Sequence, residues 1–185
     1  MKKLFSLLMA LCLVLCGSAA LAAPQTADAT PLALDGFTLN LEAGAVYDLA
    51  EKTAGAVYVT VYPEAARADT ATNYNIIWVG DDVEITLDLV RMETALYEEQ
   101  VKEGFAEQGL EASDMVLSEV EETTLAGETA AFFSTSMKLS VSGMTVDVFQ
   151  RQYYVYSKHL IITISTQTQE MLEKVVASLD GVLVW

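Results

Sequence analysis

Few side chains in this 185-residue sequence could act as reactive groups, and their spacing narrows the choice. The only histidine, His159, opens the apolar run His159–Ile164. Beside a hydroxyl such as Ser157 or Ser165, an imidazole takes the proton of an attacking nucleophile as general base. Neither a Gly-x-Ser-x-Gly elbow nor a second histidine accompanies it. A hydrolase is therefore the remote alternative, and a solvated histidine beside Lys158 at a strand start is the simpler expectation.

Carboxylates are more abundant. Asp81, Asp82 and Glu84 are close in sequence, as are Glu119, Glu121 and Glu122. Calcium needs several oxygens at set spacing, and no Asp-x-Asp-x-Asn-Gly loop is present. Asp81-x-x-Glu84 fits instead the start of a helix, where carboxylates cap free N–H groups and face the positive end of the dipole. Glu119 and Glu121 share a strand face and repel, as suits a sheet edge protected from aggregation; they also suit docking of a basic protein. Zinc and copper lack ligands, because Cys12 and Cys16 are the only cysteines and His159 stands alone. No glycine-rich loop leads to a Lys-Ser/Thr pair, so no phosphate cradle is expected, and no cofactor is expected. The aromatics Tyr74, Trp78, Phe132, Phe133, Phe149, Tyr153, Tyr154 and Tyr156 all fall on expected strands. They either fill two covered sheet faces or line a pocket for an apolar or sugar ligand.

The N-terminus sets where any of this chemistry would operate. Lys2 and Lys3 precede the apolar run Leu4–Leu15, and Ala20-Leu21-Ala22 forms an Ala-x-Ala cleavage site. Residues 1–22 read as a cleaved signal peptide and imply export to the cell envelope or extracellular space. The run is too short for a spanning helix, which needs about 20 residues, so no membrane insertion is expected after cleavage. Cys16 offers a lipid-anchor alternative: Gly17 and Ser18 suit it, whereas bulky Leu15 before the cysteine does not. Cleavage removes both cysteines. The chain carries 26 acidic against 10 basic residues, a net charge of −16, and loss of Lys2 and Lys3 makes the remainder more acidic. Such a surface repels nucleic acid and anionic headgroups and is compatible with a basic protein partner.

Residues 23–33 are small and polar with two prolines and read as a flexible segment. Residues 34–185 read as one domain, large enough for its own core. Alternation at Phe37, Leu39 and Leu41 predicts a strand over 35–41, and 56–62 and 73–79 read as two more, with a loop at 64–72. A long helix is expected over 83–108. Its apolar stripe runs through Ile85, Leu89, Met92, Leu96, Tyr97, Val101 and Phe105, Glu93 lies on its wet side, and Gly109 is its C-terminal cap. Strands at 115–125, 128–141, 144–156 and 159–166, separated by short breaks, predict an antiparallel meander. In the third of these both parities are apolar, which indicates a sheet covered on both faces. A helix over 169–179 follows, with Thr166 or Thr168 as N-cap and Gly181 as its stop. Val182–Trp185 reads as a final short strand.

Two stretches carry a family likeness. Gly36-Phe37-Thr38-Leu39, and Asn73-Tyr74-Asn75-Ile76-Ile77 ahead of the long helix, meander and closing helix, resemble the PsbP-like and DcrB-like exported proteins. The likeness spans about Leu34 to Trp185; where such proteins carry an apolar-Pro-x-Gly-Trp stretch, this chain has Leu41-Glu42-Ala43-Gly44-Ala45. The resemblance implies an α+β fold, an antiparallel sheet flanked by a long central helix and a C-terminal helix in an α/β/α sandwich. It implies no catalytic signature, since members assist photosystem II, reside in bacterial envelopes or bind a small GTPase in nuclear import. The expected function is a non-enzymatic binding or assembly module with a protein partner; the alternative is a small-ligand carrier with its pocket between helix and sheet.

Overall fold

The computed structural model describes residues 24–63, 72–141 and 143–185. The expected signal peptide with Cys16, most of the 64–72 loop and Ser142 lie outside the described residues. The chain is α+β: a large antiparallel sheet with two helices.

The sheet runs in the order β1 (Gln25–Thr26), β4 (Val46–Leu49), β5 (Ala56–Tyr62), β6 (Asn73–Trp78), β11 (Leu160–Thr166), β10 (Met144–Val155), β9 (Glu128–Val141) and β7 (Glu111–Leu117). Strand β8 (Glu121–Leu125) also pairs with β9. A second, small sheet joins β2 (Leu32–Leu34), β3 (Phe37–Leu39) and β12 (Leu183–Val184). The expected meander is present in β9, β10 and β11, which pair consecutively and antiparallel.

Three strand expectations change. The strand expected over 115–125 starts earlier, at Glu111, and divides into β7 and β8. Asp114 adopts φ +52° where the register with β9 shifts, and at Ser118 the side-chain hydroxyl, not the backbone, accepts from the Ser134 N–H at 2.9 Å. An edge strand tolerates such irregularity because only one neighbour reads its ladder. The expected flexible segment 23–33 contains ladder residues in its described part: Gln25 and Thr26 pair with β4, and Leu32 and Ala33 pair with β3. Lastly, β10 stops at Val155. Tyr156–Lys158 is a 3₁₀ turn, and His159 closes it at φ +52°, one residue before β11.

Helix α1 spans Leu87–Glu107, not 83–108. Val83 N–H bonds the Gly80 carbonyl at 3.2 Å, so Asp81 and Asp82 occupy a turn ahead of the helix and do not cap it. Thr86 is the N-cap, its hydroxyl accepting from the Leu89 N–H at 3.2 Å. Ile85 and Val90, the residue before the cap and the fourth of the helix, are buried in one cluster, the arrangement of a hydrophobic staple. Thr86→Ala should therefore cost about 1 kcal/mol in urea unfolding, while Asp81→Ala leaves the midpoint unchanged. At the other end Gly109, at φ +74°, donates to the Ala106 carbonyl and Leu110 N–H reaches that of Phe105, so the expected glycine cap is present. The buried stripe is Val90, Glu93, Tyr97, Val101, Gly104 and Phe105. Met92 and Leu96, expected inside, are 52% and 46% exposed, and Glu93, expected in water, is buried. Tyr97, Val101 and Phe105 set the stripe as expected; Leu96 and Met92 lie about 100° and 140° around the helix from Tyr97, whereas Glu93 lies only about 40° from it.

Helix α2 spans Gln169–Val182 with Thr168 as N-cap. Gly181 lies within it and does not stop it; the chain turns extended only at Leu183, where β12 joins β3.

The two core clusters separate by strand parity. Tyr74, Ile76, Tyr153, Ile162 and Ile164 pack with α2 residues Leu172, Val175 and Leu179 and with Phe37 and Leu39 of the small sheet. Ile77, Phe133, Met137, Tyr154 and Ile161 pack with α1 residues Val90, Tyr97, Val101 and Phe105. Successive strand residues point to opposite faces, so the helices cover opposite faces of the sheet. No helix among the described residues is long and apolar enough to cross a membrane.

Candidate functional site

The two faces of the central strands differ in kind. On the α2 face β6, β10 and β11 present Tyr74, Ile76, Tyr153, Val155, Ile162 and Ile164. On the α1 face the same strands present Asn73, Asn75, Gln150, Gln152, Thr163 and Ser165, all buried.

Strand register arranges these polar residues in two rows. Asp48 pairs with Thr60, Thr60 with Asn75, Asn75 with Thr163, and Thr163 with Gln152, so five strands contribute one line of side chains. Two residues along, Asn73 pairs with Ser165, Ser165 with Gln150, and Gln150 with Thr135. At roughly 4.8 Å per strand the longer row extends about 19 Å, with the second row about 7 Å away.

Part of this floor is satisfied internally. Thr60 Oγ1 donates to Asn75 Oδ1 at 2.7 Å, and Asn75 Nδ2 donates to Asn73 Oδ1 at 3.0 Å. The Tyr97 hydroxyl of α1 donates to Gln150 Oε1 at 3.0 Å, and Gln150 Nε2 donates to Ser165 Oγ at 2.9 Å. The Tyr154 hydroxyl donates to Gln152 Oε1 at 3.3 Å. Other atoms are buried without a hydrogen-bond partner: Asp48 Oδ1, Gln100 Oε1, Thr135 Oγ1, Gln152 Nε2 and Thr163 Oγ1. Gln100 and Glu93 lie on the flank of α1 opposite to Arg91, Thr94 and Glu98, by the 100° step of the helix. Because Arg91, Thr94 and Glu98 line a groove with Leu117 and Glu119, the Glu93–Gln100 flank faces away from the β7–β8 edge, toward the polar floor.

Burial lifts the Glu93 carboxyl above its ordinary pKa, and also that of Asp48. Desolvation, then the charge of Asp48, raises the Tyr62 hydroxyl; Tyr62 lies two residues along β5 from Thr60 on the same face. The Tyr154 hydroxyl is raised by burial first and by the charge of Glu93 second. The sign of the pH effect follows. A carboxyl whose folded pKa exceeds its unfolded value contributes nothing below the unfolded pKa, and it destabilises progressively as pH rises through the folded pKa. Glu93→Gln should raise the melting temperature by several degrees at pH 7 and hardly change it at pH 4, as read by circular dichroism at both pH values.

The residues singled out from sequence are dispersed. His159 Nδ1 lies 2.8 Å from the Val83 carbonyl; since a carbonyl only accepts, Nδ1 carries the proton and the ring pins the segment ahead of α1. Ser157 donates to Glu128 Oε2 at 2.6 Å. Ser165 lies at the other end of β11, roughly 20 Å of extended chain from His159, so no nucleophile–base pair forms. Asp81, Asp82 and Glu84 are exposed ahead of the helix, and Glu119, Glu121 and Glu122 are exposed along the β7–β8 edge. Among the described residues no group of three His, Cys, Asp or Glu is placed to hold a metal ion. The aromatics split between the faces: Phe133 contacts Tyr97 and Tyr154 at 5.1 and 6.2 Å between ring centroids, and Phe132 contacts Tyr153 at 5.6 Å on the other side. Trp78, beneath Lys52 at 4.7 Å, belongs to the α2 side.

Sequence reasoning missed the polar floor. Its signal was present as period-two polarity in buried strands: Asn73-x-Asn75, Gln150-x-Gln152 and Thr163-x-Ser165. No protein-family model matches the chain, and no curated protein matches it.

Proposed function

We propose that this chain is an exported, non-enzymatic binding module of the bacterial envelope or extracellular space that carries a small ligand between α1 and the sheet. The observation that carries this reading is the buried polar floor with its unpartnered atoms. A core that served packing alone would fill those positions as the opposite face does, with isoleucine and tyrosine. Each buried polar group without a partner costs about 1–3 kcal/mol, and hydrogen bonds from a ligand offset that cost. Export rests on residues 1–22. Kinship with PsbP-like and DcrB-like α/β/α sandwiches rests on the Gly36–Leu39 and Asn73–Ile77 stretches and is supported by a helix on each sheet face.

Native mass spectrometry of the protein purified from an expressing cell tests this. A mass above that of the polypeptide, lost on denaturation, is the expected result. Bare polypeptide mass under native conditions, together with turnover of a substrate, would overturn it. The same spectrum reads whether Cys16 is retained with a lipid or removed with the leader.

One observation favours a second reading, a basic protein partner. An open groove of about 450 Å³ separates α1 from residues 117–120, with Glu98 and Glu119 on its walls. Glu121 and Glu122 continue the acidic line along the edge. In-cell cross-linking through a tag after Trp185 should then recover one basic protein, and Glu119→Lys with Glu121→Lys should abolish its recovery.

A further inference from the structure

We infer that the ligand of this floor is a neutral polyhydroxylated small molecule, a sugar or sugar alcohol, bound at the Thr163–Gln152 pair under the Gln100 flank of α1; this rests on the small-ligand reading above. The unpartnered atoms set the chemistry. Asp48 Oδ1 and Gln100 Oε1 only accept, Gln152 Nε2 only donates, and the hydroxyls of Thr135 and Thr163 do both. A ligand at the Thr163–Gln152 pair must both donate and accept within a few ångströms; Asp48, four strands along the row from Gln152, lies beyond its reach. Vicinal hydroxyls do that. An ammonium group has no lone pair for Gln152 Nε2, and a carboxylate or a fully ionised phosphate has no proton for Gln100 Oε1.

Charge points the same way. Lysine and arginine are absent from both rows, so nothing in them balances an anion. Glu93, buried on the same flank of α1 as Gln100, supplies a carboxyl of the kind that accepts from sugar hydroxyls.

The test uses the full-length gene product as the cell exports it. Melting temperature is measured with 10 mM glucose, galactose, ribitol or sucrose, and in parallel with putrescine and with citrate. Ligand binding to the native state alone raises stability with concentration, so titration of the responding compound returns its dissociation constant. The expected result is a dose-dependent rise with at least one neutral polyol. Thr163→Val and Gln152→Leu should each weaken that binding at least tenfold, and Glu119→Gln should leave it unchanged. Thr163→Val preserves shape and removes only a hydroxyl without a partner, so it keeps the test valid if Gln152→Leu folds poorly. A response to putrescine or citrate alone would overturn the ligand class and leave the small-ligand reading standing. No response to any compound, with no bound mass retained in the native mass spectrum, would overturn both.

Discussion

Phe133→Ala is expected to remove about 3–5 kcal/mol of stability, the range for truncating a fully buried aromatic ring. For a chain of this size that corresponds to a fall of roughly 10–15 °C in melting temperature. Phe133 is 1% exposed on β9, at the centre of the face that receives α1. Its ring meets Tyr97 edge-on at 75° and stacks on Tyr154 at 28°. Truncation therefore removes the buried surface of one ring and loosens two others, both carrying hydroxyls bonded to the polar floor. Phe132 makes a useful control. It is adjacent in sequence but only half-buried on the opposite face, where Arg151 covers it at 5.1 Å. Phe132→Ala should cost less than half as much. Denaturant unfolding of both variants checks the pair, and equal losses would show that α1 is not anchored through this ring.

Phe133 also shows how much could be read from the sequence. Its position on a long strand, in a meander covered on both faces, followed from short glycine-bearing breaks and from apolar residues on both parities. Those are local signals, and β9, β10 and β11 formed where they pointed. The boundaries of α1 did not follow. Asp81, Asp82 and Glu84 resemble a cap, and Ile85 extends the apolar stripe backward, so the staple residue reads as helix interior. Step length alone groups Met92 and Leu96 with the stripe, although the helical angle places them outside the arc of Tyr97, Val101 and Phe105 and places Glu93 within it. Pairing of β6 with β11 is a contact between distant parts of the chain, which no local pattern encodes. The short strand β4, with Asp48 in its middle, carries too few residues to establish a period. The polar floor was legible in principle as alternation, but each of its residues except Thr135, which lies between Ser134 and Ser136, stands beside an apolar neighbour. The apolar neighbours define the strand; the polar residues show their common face only once five strands are placed in register.

Gln150→Leu should cost about 2–3 kcal/mol, whereas Thr163→Val, on the neighbouring strand of the same floor, should stabilise the unliganded protein by about 1 kcal/mol. The opposite signs follow from satisfaction, not from burial. Gln150 accepts from the Tyr97 hydroxyl and donates to Ser165, so it links α1 through β10 to β11. Leucine fills the same volume but removes both bonds and leaves polar atoms of Tyr97 and Ser165 against a hydrocarbon wall. Thr163 Oγ1 already lacks a partner, so valine removes a desolvated hydroxyl at no loss of contact. Urea unfolding of the two single variants and the double variant measures this directly. Additive effects in the double variant are expected, because Thr163 takes no part in the Tyr97–Gln150–Ser165 chain. If Thr163→Val instead destabilises by as much as Gln150→Leu, the hydroxyl is held by ordered water, and the floor is a hydrated core layer. If the gain appears, the protein keeps at Thr163 a group that weakens its own unliganded fold, as the small-ligand reading requires.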